Sequence, residues 1–165
     1  MSRPLLPVVL LALAGCATGR VQAPAIQAPE GYRLVWHDEF DGNAMPDPAN
    51  WYFQTNNNRR GWGSEEQQYY SAGRSKNARL EGGHLVIEAH RDGGEVADRA
   101  DYGGQPYTSA RLMNARGLGW QYGYMEVRAR FTCGRGTWPA IWLLPSHEPI
   151  NWPMGGEIDV MEHVG

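Results

Sequence analysis

Hydrophobic and polar residues alternate with period two along much of this chain, and past residue 31 no segment shows helical periodicity. Strands are therefore predicted over 84–91, 107–113, 124–132 and 138–144. In the third of these, the clearest, the residues predicted to face a core are Met125, Val127, Ala129 and Phe131. The fourth is more apolar throughout, so we expect it to be buried on both faces.

Glycine pairs at 82–83, 93–94 and 103–104 separate these segments and predict turns. The chain has 21 glycines in 165 residues, nearly twice the usual share of about 7%. Such a composition is typical of many short strands joined by tight loops. We predict an all-β fold, either a sandwich or a jelly roll.

The first residues form a separate segment. Arg3 precedes an apolar run over 5–13, and the small residues Ala14-Gly15-Cys16 follow it. This is the pattern of an export signal, and the run is too short to span a bilayer. The stretch Leu13-Ala14-Gly15-Cys16 resembles the lipobox of bacterial lipoproteins, which implies that Cys16 becomes a lipid-bearing N-terminus. An ordinary secretory signal cleaved nearby is the alternative.

Residues 1–16 are thus interpreted as a lipoprotein-type signal, 17–31 as a flexible tether and 32–165 as the folded domain. With Cys16 lipidated, Cys133 has no disulfide partner and is expected to be a small buried residue. The net charge is −3 and basic residues do not cluster, which argues against a nucleic-acid partner. A neutral polymer fits this composition.

Three carboxylates, Glu157, Asp159 and Glu162, fall within six residues of strand-like sequence. Strict alternation would point Glu162 to the opposite face, but a β-bulge at 160–161 would return it. The glutamate Cα atoms would then stand about 13 Å apart, and extended side chains can close to the ~5–5.5 Å of retaining glycoside hydrolysis. Crowded like charges cannot all ionise, so one carboxyl is expected to act as nucleophile and another as acid. A solvated acidic edge paired with cations is the alternative.

Six motifs follow one another from about residue 32 to 165. They are Trp36-His37-Asp38-Glu39-Phe40-Asp41-Gly42; Gly61-Trp62-Gly63 with Glu66-Gln67-Gln68-Tyr69-Tyr70; Tyr107-Thr108-Ser109-Ala110-Arg111-Leu112; Tyr122-Gly123-Tyr124-Met125-Glu126-Val127-Arg128; Gly136-Thr137-Trp138-Pro139-Ala140-Ile141-Trp142; and Gly156-Glu157-Ile158-Asp159-Val160-Met161-Glu162. In this order they resemble glycoside hydrolase family 16.

The resemblance implies a concanavalin-like β-jelly roll whose concave face binds a β-linked polysaccharide. It places the nucleophile at Glu157, the acid/base at Glu162 and an assisting aspartate at Asp159. The bulged spacing resembles the laminarinase branch, which implies retaining endo-hydrolysis of β-1,3 or mixed β-1,3/1,4 glucans by a monomer that requires no cofactor. A galactan (agar or carrageenan) hydrolase, a transglycosylase and a non-catalytic β-glucan-binding module are the alternatives, and the presence of both glutamates favours an enzyme.

The resemblance also implies substrate contacts. Trp138 and Trp142 share parity on one strand and offer flat rings for sugars, with core packing as the alternative. Arg111 matches an arginine that binds sugar hydroxyls, with an exposed ion pair as the alternative. Trp120 and Trp152 are expected at the cleft rim, where packing as a lid is equally compatible.

Two positions in the second motif and one metal site complete these expectations. Ser64 stands where the laminarinase pattern has asparagine, and it lacks the amide donor. For Glu66, substrate contact and loop bracing both remain open. Some members hold a structural calcium near the positions of Glu39 and Gly82, with a further acid that this chain does not contain. Because the family's domain continues beyond its catalytic strand, we expect a truncated domain of reduced stability and activity.

Overall fold

A computed structural model of the protein describes residues 26–114, 117–146 and 152–165. The chain divides into two units, 1–34 and 35–165. The described part of the first contains a turn closed by a hydrogen bond from the Tyr32 amide to the Pro29 carbonyl, at 3.0 Å. Every described strand lies in the second. In these ranges we find no helix with the length and apolar character needed to cross a membrane.

The described part of the second unit consists of short strands and two 3₁₀ helices, in agreement with the all-β prediction. The strands are β1 Trp51–Phe53, β2 Gln68–Tyr70, β3 Ala78–Leu80, β4 Leu85–Ile87, β5 Tyr107–Ser109, β6 Leu112–Asn114, β7 Ala140–Leu143 and β8 Ile158–Glu162; the 3₁₀ helices are Asn58–Arg60 and Gly93–Val96. Among the described residues the strands form two-stranded pairs. β1 pairs with β6, β3 with β4 and β7 with β8, all antiparallel, and β2 pairs with β5 in parallel.

The hairpin between β3 and β4 turns on the predicted glycine pair. Gly82 and Gly83 have φ of 60° and 75°, and Glu81 and His84 exchange backbone hydrogen bonds of 2.9 and 3.1 Å across them. A two-residue turn of this kind needs positive φ at both central positions, which glycine adopts without steric cost. Of the other pairs, 93–94 begins the second 3₁₀ helix and 103–104 lies in the loop before β5.

Two strand predictions need correction. Segment 107–113 is broken at Ala110 and Arg111, because β5 pairs with β2 whereas β6 pairs with β1. Segment 124–132 contains no strand, and its residues Met125 and Val127 are exposed. Alternation predicts which face a side chain takes, but a strand also needs a hydrogen-bonded neighbour, and the described residues supply none for this segment.

Two burial predictions are also wrong. The fourth segment forms β7, but its residues are exposed or half-buried instead of buried on both faces, because one face is the open surface described below. Cys133 is exposed and free, since it belongs to the same open stretch of chain as segment 124–132.

A buried polar network joins the β3–β4 hairpin to β5. Asn77 and Thr108 are both 0% exposed. The Asn77 amide oxygen accepts from Ser71 Oγ and Arg74 Nη1, both at 2.8 Å, and its nitrogen donates to Thr108 Oγ1 at 2.9 Å and to the Glu88 carbonyl at 3.1 Å. The side chain is therefore fully satisfied. Burial of this polar group is stable only because each bond is made.

Asp92 anchors the same network by its charge. It accepts from Thr108 Oγ1 at 2.6 Å and pairs with Arg74 at 3.0 Å and Lys76 at 2.5 Å. Desolvation raises the pKa of Asp92, but the hydrogen bonds from Lys76, Thr108 and Arg74 outweigh it and hold that pKa well below its usual range. A lowered folded-state pKa stabilises the fold above the unfolded pKa of about 3.9, and this contribution is lost as the pH falls below that value.

Replacing the Thr108 hydroxyl tests the network. Thr108→Val removes the donor to Asp92 and the acceptor of Asn77, so the free energy of unfolding should fall by about 1–3 kcal/mol. Thr108→Ser keeps the hydroxyl and should lose only the ~0.8 kcal/mol of one buried methyl group. Urea denaturation followed by tryptophan fluorescence measures both. Equal losses in the two variants would show that the hydroxyl is not important.

Candidate active site

The pairing of β7 with β8 contains the bulge predicted at 160–161. The opposed residues are Leu143 with Ile158, Trp142 with Asp159, Ile141 with Met161 and Ala140 with Glu162. The shift leaves Val160 without a partner on β7. Val160 is thus the extra residue, and Met161 after it is paired.

The bulge places Asp159 and Glu162 on one face. They lie opposite Trp142 and Ala140, which are two residues apart on a regular strand and so share a face. Trp138 continues that face, and its indole Nε1 donates to Glu162 Oε1 at 2.8 Å. Trp138 is 46% exposed, so it lies on an open surface and the core-packing alternative does not apply to it.

Glu157 precedes β8 by one residue and completes the acidic group. Partial desolvation raises its pKa, and the charge of Asp159, a hydrogen bond with Asp159 and the charge of Glu162 raise it further. The positive charge of Arg111 opposes this shift. The predicted crowding is therefore present and acts on Glu157. The resemblance implies an ionised nucleophile at this position, and among the causes of the shift it is the Arg111 charge that favours the ionised form.

Arg111 lies between two indole rings. Its guanidinium carbon is 4.8 Å from the Trp62 ring centroid and 4.5 Å from that of Trp142, within the range of cation–π attraction. Its Nε donates to Gln54 Oε1 at 2.6 Å. Arg111 makes no ion pair closer than 4.0 Å in the described ranges, so the exposed ion pair considered from the sequence is not formed.

Comparisons with known proteins point the same way as this geometry. A family model described as XgeA-like, catalytic GH16 domain matches residues 127–165, which include β7 and β8. A β-glucanase of Rhodothermus marinus is 47% identical over 137 residues, which are 81% of this chain and 44% of that protein. The chain belongs to glycoside hydrolase family 16.

Solved structures confirm the fold of this family 16 chain. A variant of SCLam, a non-specific endo-β-1,3(4)-glucanase, matches with a TM-score of 0.77 at 48% identity, over 84% of this chain and 55% of that one. The laminarinase from Rhodothermus marinus matches with a TM-score of 0.68 at 51% identity, over 80% and 50%. The predicted family and jelly-roll fold are thereby confirmed. The chain spans about half the length of each of these three relatives.

Glu66 braces a loop of the family 16 site. Its carboxylate accepts from Gln68 Nε2 and, at 2.8 Å, from the Tyr70 hydroxyl. Burial, followed by the charge of Glu66, raises the pKa of Tyr70, which keeps this hydroxyl protonated. The Tyr70 ring meets Trp62 edge-on, with centroids 5.0 Å apart, and Trp62 Nε1 donates to Asn58 Oδ1 at 3.0 Å. Glu66 therefore supports the indole on which Arg111 lies.

Ser64 is exposed and has a φ of 58°. This left-handed backbone conformation is several-fold enriched in asparagine among non-glycine residues. The asparagine of the laminarinase pattern would therefore suit the backbone as well as supply an amide donor. Serine gives this family 16 chain neither advantage at this position.

Trp120 and Trp152, the two tryptophans predicted at the cleft rim, have no ring contact or hydrogen bond with β8 among the described residues. The Trp120 ring is 5.8 Å from Trp36, which is in turn 5.8 Å from Trp51, so Trp120 packs along one side while 46% of it stays exposed. Trp152 is 68% exposed. Their contact with substrate stays a prediction. The Nε2 of His163, next to Glu162 in the sequence, is buried without a hydrogen-bond partner among the described residues.

The metal and lipid predictions are not resolved by this geometry. Across 26–114, 117–146 and 152–165 no group of three or more His, Cys, Asp or Glu side chains could hold a metal ion. Glu39 lies 3.8 Å from His37 Nδ1 and Gly82 forms the β3–β4 turn, so the calcium site near them stays a prediction. Cys16 lies outside the described residues.

Gln54 is a site residue that sequence reasoning missed. It lies 57 positions from Arg111 along the chain and outside every motif that carried the resemblance. Trp62 lies within the second motif, which implies no particular role for it. Only the pairing of β1 with β6 brings Gln54 to the site, and no local pattern indicates that pairing.

The pKa of Glu157 provides a direct test of the site's electrostatics. In ¹³C NMR titrations with carboxyl-labelled glutamate, its midpoint should lie above the ordinary value of 4.5. Asp159→Asn should lower the midpoint because it removes a neighbouring negative charge, whereas Arg111→Met should raise it further. Arg128→Met, an exposed change elsewhere, should have no effect. A midpoint that none of these substitutions moves would contradict the described arrangement.

Proposed function

We propose that the protein is a retaining endo-glycosidase that hydrolyses internal β-1,3 or mixed β-1,3/1,4 linkages of glucans. The observation that carries the proposal is the bulged strand β8, which puts Asp159 and Glu162 on one face beside exposed Trp138, with Glu157 directly before the strand and interacting with both acids. The SCLam variant was crystallised with 1,3-β-D-cellobiosyl-cellobiose and presents 1,3-β-D-cellobiosyl-glucose at its active site. That ligand supports a substrate containing both linkages.

The reaction is a double displacement. The Glu157 carboxylate attacks the anomeric carbon while Glu162 protonates the departing glycosidic oxygen, so one C–O bond forms as the other breaks. Glu162, now ionised, then takes a proton from water, and the hydroxide oxygen displaces Glu157 from the sugar. The Trp138 indole orients Glu162 through its hydrogen bond. Asp159 orients Glu157 through their hydrogen bond, and its negative charge raises the pKa of Glu157.

Substrate binding follows from the same surface. Trp138 and Trp142 supply stacking faces beside the acids, because Trp142 lies opposite Asp159 and Trp138 bonds Glu162. Arg111 supplies N–H donors for sugar hydroxyls. Trp120, Trp152 and Ser64 are proposed rim contacts. Glu66 acts indirectly, by bracing Tyr70 against Trp62.

Substituting the two glutamates separates their roles. Glu157→Gln should abolish laminarin hydrolysis, and Glu162→Gln should reduce it by about 10²–10⁴-fold. An aryl β-glucoside with an acidic leaving group needs no protonation, so it should restore formation of the glycosyl-enzyme in Glu162→Gln but not in Glu157→Gln. Reducing-sugar release and the burst of aryl alcohol are the measurements.

The exposed residue Glu126 gives the matched control, since Glu126→Gln should hydrolyse laminarin like the unmodified chain. Undiminished turnover by Glu157→Gln would remove the assignment. Binding of laminarin by the unmodified chain with no hydrolysis would favour the glucan-binding module, and hydrolysis of agarose or carrageenan instead would favour the galactan alternative.

We further propose that the protein is an exported lipoprotein of a bacterial cell envelope, anchored at Cys16 and monomeric. The support is the sequence of residues 1–16, with its apolar run and lipobox-like ending. A lipid anchor would hold the catalytic domain at the membrane surface, with 17–31 as the tether.

Labelling with radioactive palmitate in a bacterial host tests this anchor. The unmodified protein should carry label and sediment with membranes, whereas Cys16→Ser should be unlabelled and released. Cys133→Ser is the control, because that thiol is exposed and free and its loss should leave the labelling intact. Equal labelling of the Cys16→Ser protein would rule out the proposed lipidation site.

A further inference from the structure

We propose that Gln54 is a positioning residue of this site: by accepting the Arg111 Nε–H it fixes the guanidinium plane between Trp62 and Trp142 and reserves the remaining donors for substrate. The inference rests on the proposed glucan hydrolysis. It assigns a role in that reaction to a residue that lies outside the acidic strand.

Gln54 and Arg111 are joined twice. They form the next opposed positions beyond the pair of Phe53 with Leu112, at the end of β1 and the start of β6. The backbone N–H of Gln54 donates to the backbone carbonyl of Arg111 at 2.9 Å. In return, the side-chain Nε of Arg111 donates to the side-chain Oε1 of Gln54 at 2.6 Å. The backbone bond alone places the arginine Cα. The side-chain bond has a different effect: it restricts the rotamers of the long Arg111 side chain, which otherwise retains much conformational freedom.

The fixed guanidinium links segments that share no strand ladder. Trp62 follows the first 3₁₀ helix, and Trp142 belongs to β7, opposite Asp159. In the part of the chain that the structure describes, the β1–β6 pair and the β7–β8 pair have no hydrogen-bonded strand in common. Arg111 contacts both rings. The orientation of its guanidinium therefore affects the Trp142 ring, on strand β7, which pairs with the acid-bearing strand β8.

The hydrogen bond to Gln54 also determines which donors remain. A guanidinium has five N–H groups in a rigid plane. Gln54 takes the one on Nε, and within the described ranges neither Nη donates to a protein acceptor or pairs with a carboxylate. These Nη groups can therefore meet sugar hydroxyls. The charge of the same guanidinium limits the rise in the pKa of Glu157 that burial and the acidic neighbours cause.

A double-mutant cycle tests whether Gln54 acts through Arg111. Gln54→Met keeps the side-chain length but removes the acceptor, and kcat/KM on laminarin should fall about 10- to 100-fold, the range of a charge-assisted hydrogen bond. In an Arg111→Met background the same change should alter kcat/KM less than about twofold, because the group it orients is absent. Additive losses would overturn the inference.

Two further readouts separate positioning from a merely structural role. Gln54→Met should move the acid limb of the kcat/KM profile to higher pH, because Glu157 loses part of the cation's influence, while thermal stability changes little since the backbone bond remains. Gln54→Glu keeps an acceptor and should restore kcat/KM at the pH plateau to within about threefold of the unmodified chain. An unmoved acid limb, or no rescue by glutamate, would contradict the proposal.

Binding of laminaritetraose, followed by tryptophan fluorescence, distinguishes this inference from the proposed function. If the full chain binds the sugar but does not hydrolyse laminarin, the enzyme proposal alone is overturned. The positioning role would still stand if Gln54→Met weakens sugar binding in the unmodified chain but not in the Arg111→Met background. Equal binding with and without the Gln54 amide would overturn that role. Absence of both binding and turnover would overturn both.

Discussion

One unpaired residue, Val160, determines the chemistry that this surface can perform. A strand alternates its faces, and Glu162 stands at odd offset from Glu157 and Asp159. Because Val160 has no partner on β7, Glu162 moves to the face of Asp159 and comes opposite Ala140. In that orientation Glu162 accepts a hydrogen bond from the Trp138 indole. The acidic group, its aromatic neighbours and the proposed double displacement all depend on the bulge.

Gathering carboxylates on one face creates an electrostatic cost that the rest of the site must offset. Desolvation and the charges of Asp159 and Glu162 favour the protonated form of Glu157. The cation that opposes them, Arg111, is held by two indole faces and one amide instead of by a carboxylate. A carboxylate partner would add one more negative charge near Glu157 and raise its pKa further, whereas aromatic faces and an amide hold the guanidinium without adding charge. This explains why Glu66 serves the site indirectly, through Tyr70 and Trp62, and not as an ion pair with Arg111.

The chain's local patterns predict what is encoded locally. The acidic stretch predicted the bulge, and Gly82-Gly83 predicted the β3–β4 turn, because both depend on a few adjacent residues. Segment 124–132 alternates well yet forms no strand, since alternation does not provide a hydrogen-bonded neighbour. Gln54 was missed for a related reason: its role arises from a pairing across 57 positions. Glu66 could be placed near the site by resemblance, but only its bonds to Gln68 and Tyr70 revealed that it braces the loop.

The stereochemistry of laminarin cleavage tests most directly whether the bulged strand forms a retaining pair. Proton NMR of the first products, recorded before mutarotation, reports the anomer at the newly formed reducing end. Double displacement through Glu157 and Glu162 requires that the β-anomer appear first and the α-anomer accumulate only by mutarotation. Initial release of the α-anomer would mean single displacement by water, and it would contradict the account of this site.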